Sequence, residues 1–169
     1  MKKLLCLMPY ALCLALAAPA HAGIVIDFYA GLTGGMGTMW ANSDSGSAQS
    51  YGAVMGIDVP LVRAEAEYNY LRRRNLNAHI GMLNGYIKAP FPVVKPYLGG
   101  GVGQVFGGTL NNENLNSVAA YQMMLGLQIE VPASPLIVDA ETRVLFAHDI
   151  VPGVELTQWD ARLKLRYMF

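Results

Sequence analysis

The stretch Trp159–Phe169, WDARLKLRYMF, sets Trp159, Ala161, Leu163, Leu165, Tyr167 and Phe169 against Asp160, Arg162, Lys164 and Arg166, and only Met168 breaks the charged set. Side chains point alternately to the two faces of a β-strand, so a period of two describes a strand with one apolar and one ionic face. About 9–11 tilted residues are enough for a strand to cross a bilayer. An ionic face suits the polar lumen of a closed barrel and is out of place in a dry core, so the stretch predicts a transmembrane β-barrel.

The same period recurs toward the N-terminus. Phe28, Ala30, Leu32 and Met36 oppose Asp27, Tyr29 and Thr33; Tyr51, Ala53, Met55, Ile57 and Val59 oppose Gly52, Val54, Gly56 and Asp58. Val62, Ala64, Ala66, Tyr68 and Tyr70 alternate with Arg63, Glu65, Glu67 and Asn69, and Leu83, Gly85 and Ile87 with Asn84, Tyr86 and Lys88. The fifth segment, Tyr97 to Phe106, is so glycine-rich that its facing stays open. Ala119, Tyr121, Met123, Leu125, Leu127, Ile129 and Val131 oppose Gln122, Met124, Gln128 and Glu130. Val138, Ala140, Thr142, Val144 and Phe146 oppose Asp139, Glu141, Arg143 and Leu145. With the terminal stretch these make eight strands, and the expected fold is an all-β, antiparallel up-and-down barrel.

The connections follow the asymmetry of such barrels. VPL, PFPVV and PASP are short and proline-bearing, as tight periplasmic turns are, whereas ANSDSGSAQS, LRRRNLNA, GGTLNNENLNS and HDIVPGVELT read as longer but still modest outer loops. Aromatic residues fall into two expected girdles: Trp40, Tyr51, Tyr68, Tyr70, Tyr121, Phe146 and Trp159 near the outer loops, and Phe28, Tyr86, Tyr97, Tyr167 and Phe169 near the turns. A soluble barrel of the lipocalin kind would need every charged face to meet water around a graded apolar core, which the small and medium residues of the oily faces do not provide.

At the N-terminus, Lys2 and Lys3 precede an apolar run from Leu4 to Ala18, and Ala20 and Ala22 flank His21 as in a processing site. Residues 1–22 are therefore expected to be a cleaved signal peptide and residues 23–169 a single barrel domain. Cys6 and Cys13 fall inside the leader, so the mature chain has no disulfide or thiolate site; the residue before Cys13 is Leu12, which argues against lipidation. The full chain carries 12 basic and 12 acidic residues, and loss of Lys2 and Lys3 leaves 10 against 12. That balance excludes bulk nucleic-acid binding, and no 18-residue apolar stretch follows the leader.

The inward parity gathers Asp27, Asp58, Glu65, Glu67, Glu130, Asp139, Glu141 and Asp160 with Arg63, Lys88, Arg143, Arg162, Lys164 and Arg166. Charges inside a narrow barrel persist when paired or hydrated, so an ionic network filling the lumen is expected, with a narrow conducting channel as the alternative. Arg72, Arg73 and Arg74 occupy the second outer loop, where arginine forks could hold lipopolysaccharide phosphates. A lipid-modifying enzyme is the other alternative, but no nucleophile, base and orienting acid recur together around His79 or His148, and no metal or cofactor ligands cluster.

NGYIKAP at Asn84–Pro90, PYLGGGVG at Pro96–Gly103, AAYQMMLGLQ at Ala119–Gln128 and the terminal Phe169 together resemble the small outer-membrane β-barrels that include the transmembrane domain of OmpA, OmpX and neisserial surface protein A. The resemblance covers the mature chain, implies an outer-membrane protein and is specific to architecture, not to activity, because these motifs build the barrel; with no catalytic trio in the pattern, the expected role is structural or surface-interactive, without catalysis. The resemblance also implies that Phe169 is the signal read by the barrel-assembly machinery and periplasmic chaperones. The long variable loops of opacity-type adhesins and the periplasmic domain that anchors full-length OmpA are absent from this pattern, so no outer ligand is named.

Overall fold

The structure, a computed structural model, describes residues 26–41, 44–74, 76–110 and 113–169. The expected leader and its processing site lie outside them. The strands are β1 (Asp27–Ala41), β2 (Asp44–Asp58), β3 (Val62–Arg73), β4 (Leu76–Lys88), β5 (Val94–Leu110), the two-residue β6 (Glu113–Asn114), β7 (Val118–Glu130), β8 (Leu136–Val151) and β9 (Val154–Met168). Each of the eight long strands pairs antiparallel with its neighbours in sequence, β4 pairs with β5, and β1 closes on β9. β6 only extends the outer end of β5. The result is a closed eight-stranded up-and-down barrel, as the alternation predicts.

The register fixes the shape. Following cross-strand partners once round the wall, from Tyr29 through Gly56, Glu65, Asn84, Gly101, Gln122, Leu145 and Gln158, returns to β1 at Met39. That is a stagger of ten residues, Tyr29 to Met39. With the usual strand spacing and rise, eight strands so staggered tilt by about 40° and enclose a backbone radius of about 8 Å. Each residue then climbs about 2.5 Å along the barrel axis. In so narrow a tube, inward side chains from opposite walls can meet.

Parity holds on every long strand: Met36, Leu83 and Leu163 are 71%, 67% and 63% exposed, while Arg63, Arg143 and Arg166 are fully buried. β5 also alternates, with Tyr97, Gly99 and Val105 inward and Leu98, Val102 and Phe106 outward. Its glycines make room for bulky neighbours. A Cβ on Gly99 would sit 2.4 Å from the Tyr86 ring, and one on Gly126 of β7 would sit 2.5 Å from the Tyr97 ring. Two expectations are corrected here. Tyr86 and Tyr97 lie inside the barrel, 1% and 2% exposed, and take no part in the lower girdle; their phenols reach inward carboxylates. The stretches read as outer loops are mostly strand: 44–50, 71–73 and 76–78 belong to ladders, and 148–151 and 154–157 continue β8 and β9 with an irregularity in the register between Ala147 and Val151. Polar residues there continue the pleat above the apolar belt, where outward positions meet water. The β8–β9 hairpin turns at Pro152 and Gly153, where Gly153 has φ +76°, a conformation that favours glycine.

Candidate functional site

The lumen is built in two tiers. The lower tier holds Asp58, Glu65, Glu67, Asp139, Glu141 and Asp160 with Arg63, Lys88, Arg143, Arg162, Lys164 and Arg166, all buried. Six acids meet six bases, so the tier is neutral. At its base Asp139 receives Arg63 Nη1 at 3.1 Å and Arg166 Nε at 2.7 Å, while Asp58 receives Lys88 and, at 3.2 Å, Arg166 Nη1. Above them Lys164 Nζ donates to Glu65 at 2.8 Å and approaches Glu141 at 3.4 Å, and Arg162 bridges Glu67 and Glu141. At the top Arg143 holds Asp160 through Nε at 3.0 Å and Nη2 at 2.6 Å.

Neutral side chains complete these shells. Tyr29 and Tyr86 donate to Glu65 and Tyr97 to Glu141, at 2.8, 2.8 and 2.9 Å. Asn84 and Gln122 donate to Glu67 at 2.6 and 3.0 Å, and Ser50 and Gln158 to Asp160 at 2.9 and 3.0 Å. The Arg63 guanidinium lies over the Tyr86 and Tyr97 rings, 3.9 and 4.7 Å from their centroids. Each buried charge faces an opposite one, and a buried charge left alone costs several kcal/mol; the hydrogen-bond shell is incomplete at Arg63 Nε and Nη2, Asn69, the Thr33 hydroxyl and the Gln158 amide oxygen.

Two members of the expected network sit elsewhere. Glu130 is part-exposed at the periplasmic rim and pairs with Lys95, and Asp27 is only half-buried at the same end. Lys95 belongs to the segment just before the glycine-rich run, whose facing alternation alone left open. Removing Glu130 and Asp27 turns the apparent excess of acids into an even match.

The upper tier was not foreseen. Met39, Leu71, Leu76, Ile80, Met82, Val105, Leu145 and Leu156 point inward and form one apolar cluster with Ala48, Ala78, Ala120, Ala147 and Ile150. Leu115 folds down on it, held by its N–H to the Gly108 carbonyl at 3.0 Å, and the next N–H, of Asn116, donates to the Ile150 carbonyl at 2.9 Å. Its signal in the sequence is a second inward set, such as Leu71, Ile80 and Leu145, continuing the charged parity beyond Asn69, Asn84 and Arg143.

The arginine triplet does not form one cluster. Arg72 is exposed on the outward face of β3 and Arg74 is exposed in the turn, whereas Arg73 leans toward β2, where a Cβ on Gly46 would lie 2.9 Å from its Nε. Near Arg72 the outer wall carries Tyr70, His79, Tyr68 and Phe106 in mutual ring contact, with the Tyr68 hydroxyl 2.8 Å from His79 Nδ1. His148 instead approaches Glu155 on the β8–β9 hairpin, at 3.2 Å. At the opposite end Phe169 is 78% exposed, its N–H donates to the Phe28 carbonyl at 2.9 Å, and its ring meets Tyr167 edge-on at 5.3 Å.

A closed eight-stranded wall with an apolar exterior and a charged, self-paired interior defines the small outer-membrane type of β-barrel. In particular, the chain superimposes on neisserial surface protein A with a TM-score of 0.74 at 15% identity, over 84% of this chain and 97% of that one. The N-terminal β-barrel domain of OprF from Pseudomonas aeruginosa matches with a TM-score of 0.60 at 12% identity, over 83% and 97% of the two chains. Identities this low establish the shared fold. No protein-family profile and no curated protein sequence matches the chain.

Proposed function

We propose that the protein is an integral barrel of the bacterial outer membrane, exported by a cleaved signal peptide over residues 1–22, with a structural and surface-interaction role and a lumen closed to ions. The observation that carries this reading is the stacking of a neutral tier, in which every buried charge has an ion-pair partner, beneath an apolar one. An ion entering from outside would have to shed its water among Leu71, Ile80 and Leu145, then displace arginine and lysine from carboxylates already satisfied. The apolar outward belt supports membrane residence, and the likeness to outer-membrane barrels supports the compartment. At the outer rim the exposed Arg72 and Arg74 of the Arg72, Arg73 and Arg74 triplet would meet the phosphates of lipopolysaccharide, through the bidentate contacts that guanidinium favours. Phe169, exposed at the periplasmic end, is the group offered to the barrel-assembly machinery and chaperones during biogenesis.

Planar-bilayer recording tests closure directly. The purified barrel should give no stable unitary current, and reproducible single-channel steps would overturn the closed-lumen reading. Location is tested separately by fractionation, in which the mature chain should follow outer membranes and resist carbonate extraction.

A further inference from the structure

We propose that the outer wall over β3, β4, β5 and β7 binds one phosphorylated, multiply acylated lipid of the lipid A type, with an acyl chain in a groove beside Gly81 and its phosphate at Arg72 and His79. The inference rests on the outer-membrane reading above and assigns a specific site to the surface lipid. A groove of about 670 Å³ runs along this wall, floored by Gly81 and Ala119 and flanked by Leu83, Val102, Phe106 and Tyr121. Gly81 is the reason it exists: a Cβ there would meet only the Phe106 ring, at 3.5 Å, so the position is an empty notch in an otherwise bulky face.

The upper end of the groove changes character. Gln104 is exposed on the outward face of β5, and His79 faces outward on β4 opposite Tyr70. With Nδ1 engaged by the Tyr68 hydroxyl, His79 has Nε2 left to offer. Arg72 lies on the same outward face of β3, two residues above Tyr70 and opposite Asn77. By the stagger of the wall, Arg72, His79 and Gln104 fall within about 4 Å of one another in height, at the outer girdle. A cation, an imidazole and an amide above an apolar notch match a lipid with a phosphate at its head and a hydrocarbon tail. Hydrocarbon gains nothing by leaving one lipid contact for another, so the groove would select the chain by fit while the phosphate contacts hold the molecule.

The test uses the barrel purified from outer membranes in nonionic detergent, with native mass spectrometry after adding diphosphoryl lipid A, phosphatidylglycerol or inorganic phosphate. One lipid A should be retained by the natural chain. Gly81→Leu, which fills the notch, should lower its retention at least tenfold, and Arg72→Gln about tenfold. Gly85→Leu is the control, because a Cβ at that outward glycine of β4 meets nothing within 4 Å; it should bind as the natural chain does. Undiminished binding by Gly81→Leu would overturn the groove, and a simultaneous loss in Arg72→Gln would show that the rim reading survives it. Equal retention of phosphatidylglycerol, or capture of inorganic phosphate alone, would also overturn the proposal. Should Gly81→Leu fail to fold, the His79 ring resonances of the natural chain decide: they should shift with lipid A and stay fixed with phosphatidylglycerol, and no shift with lipid A would overturn the site.

Discussion

The two tiers of the lumen fill the same narrow tube by opposite means. In the lower tier, space is taken by long charged side chains whose hydrogen bonds fix their positions, so each residue depends on specific partners across the barrel: Arg162 on β9 reaches Glu67 on β3, and Arg63 on β3 reaches Asp139 on β8. In the upper tier, Leu71, Ile80, Leu145 and their neighbours need only shape and volume. The same wall therefore carries one region where a deletion leaves an unmet charge and one where it leaves a void. The first failure is the more costly.

The largest effect should come from Arg162→Leu, which takes the guanidinium from Glu67 and leaves Glu141 only Lys164 as an ion-pair partner. Loss of about 4 kcal/mol of folding free energy in lipid vesicles is expected, read by urea titration with Trp40 and Trp159 fluorescence. Replacing a whole pair, as in Arg143→Met with Asp160→Leu, should recover most of the loss that Arg143→Met causes alone; a double variant no better than the single would break the contrast between the tiers. Leu71→Ala should cost about 3 kcal/mol through the cavity it leaves, with no partner whose removal restores stability. A smaller penalty, about 2 kcal/mol, is expected for Gly99→Ala, because the new methyl would collide with the Tyr86 ring that donates to Glu65. If Gly99→Ala proved neutral, the tyrosines would not be locked in the lower tier as described.

Much of this architecture is legible from alternation. The strand count, the facing of seven strands and twelve of the fourteen residues assigned to the ionic network follow from a period of two, because a membrane outside and a tube inside punish any residue on the wrong face. Alternation is silent on height, however. Glu130 shares the parity of Gln128 yet stands at the rim with Lys95, and turn-proximal position alone groups Tyr86, inward by its own parity, and Tyr97 with Phe28 in the lower girdle. The glycine run of β5 concealed its own facing because the information lies in its neighbours, in the rings of Tyr86 and Tyr97 that need the missing side chains. The apolar tier stayed hidden for a related reason: once the apolar face is assigned to lipid, inward leucines look like noise in a charged pattern.

The ion pairs also have a consequence for how the chain avoids closing incorrectly. Alternation distinguishes one face from the other, but a strand displaced by two residues still shows lipid its apolar side and passes that check. The charges on β8 and β9 do not pass. In the native ladder Arg143 faces Asp160 and Glu141 faces Arg162. Slide β9 two residues one way and Arg143 confronts Arg162; slide it the other way and Glu141 confronts Asp160, so either error sets like charges directly opposite in a space without bulk water. The strand pattern thus specifies which side faces out, and the order of signs along the last hairpin favours the native alignment, in which Arg143–Asp160, Glu141–Arg162 and Asp139–Lys164 are all opposite in sign, over either slip, in which one directly opposed pair is alike.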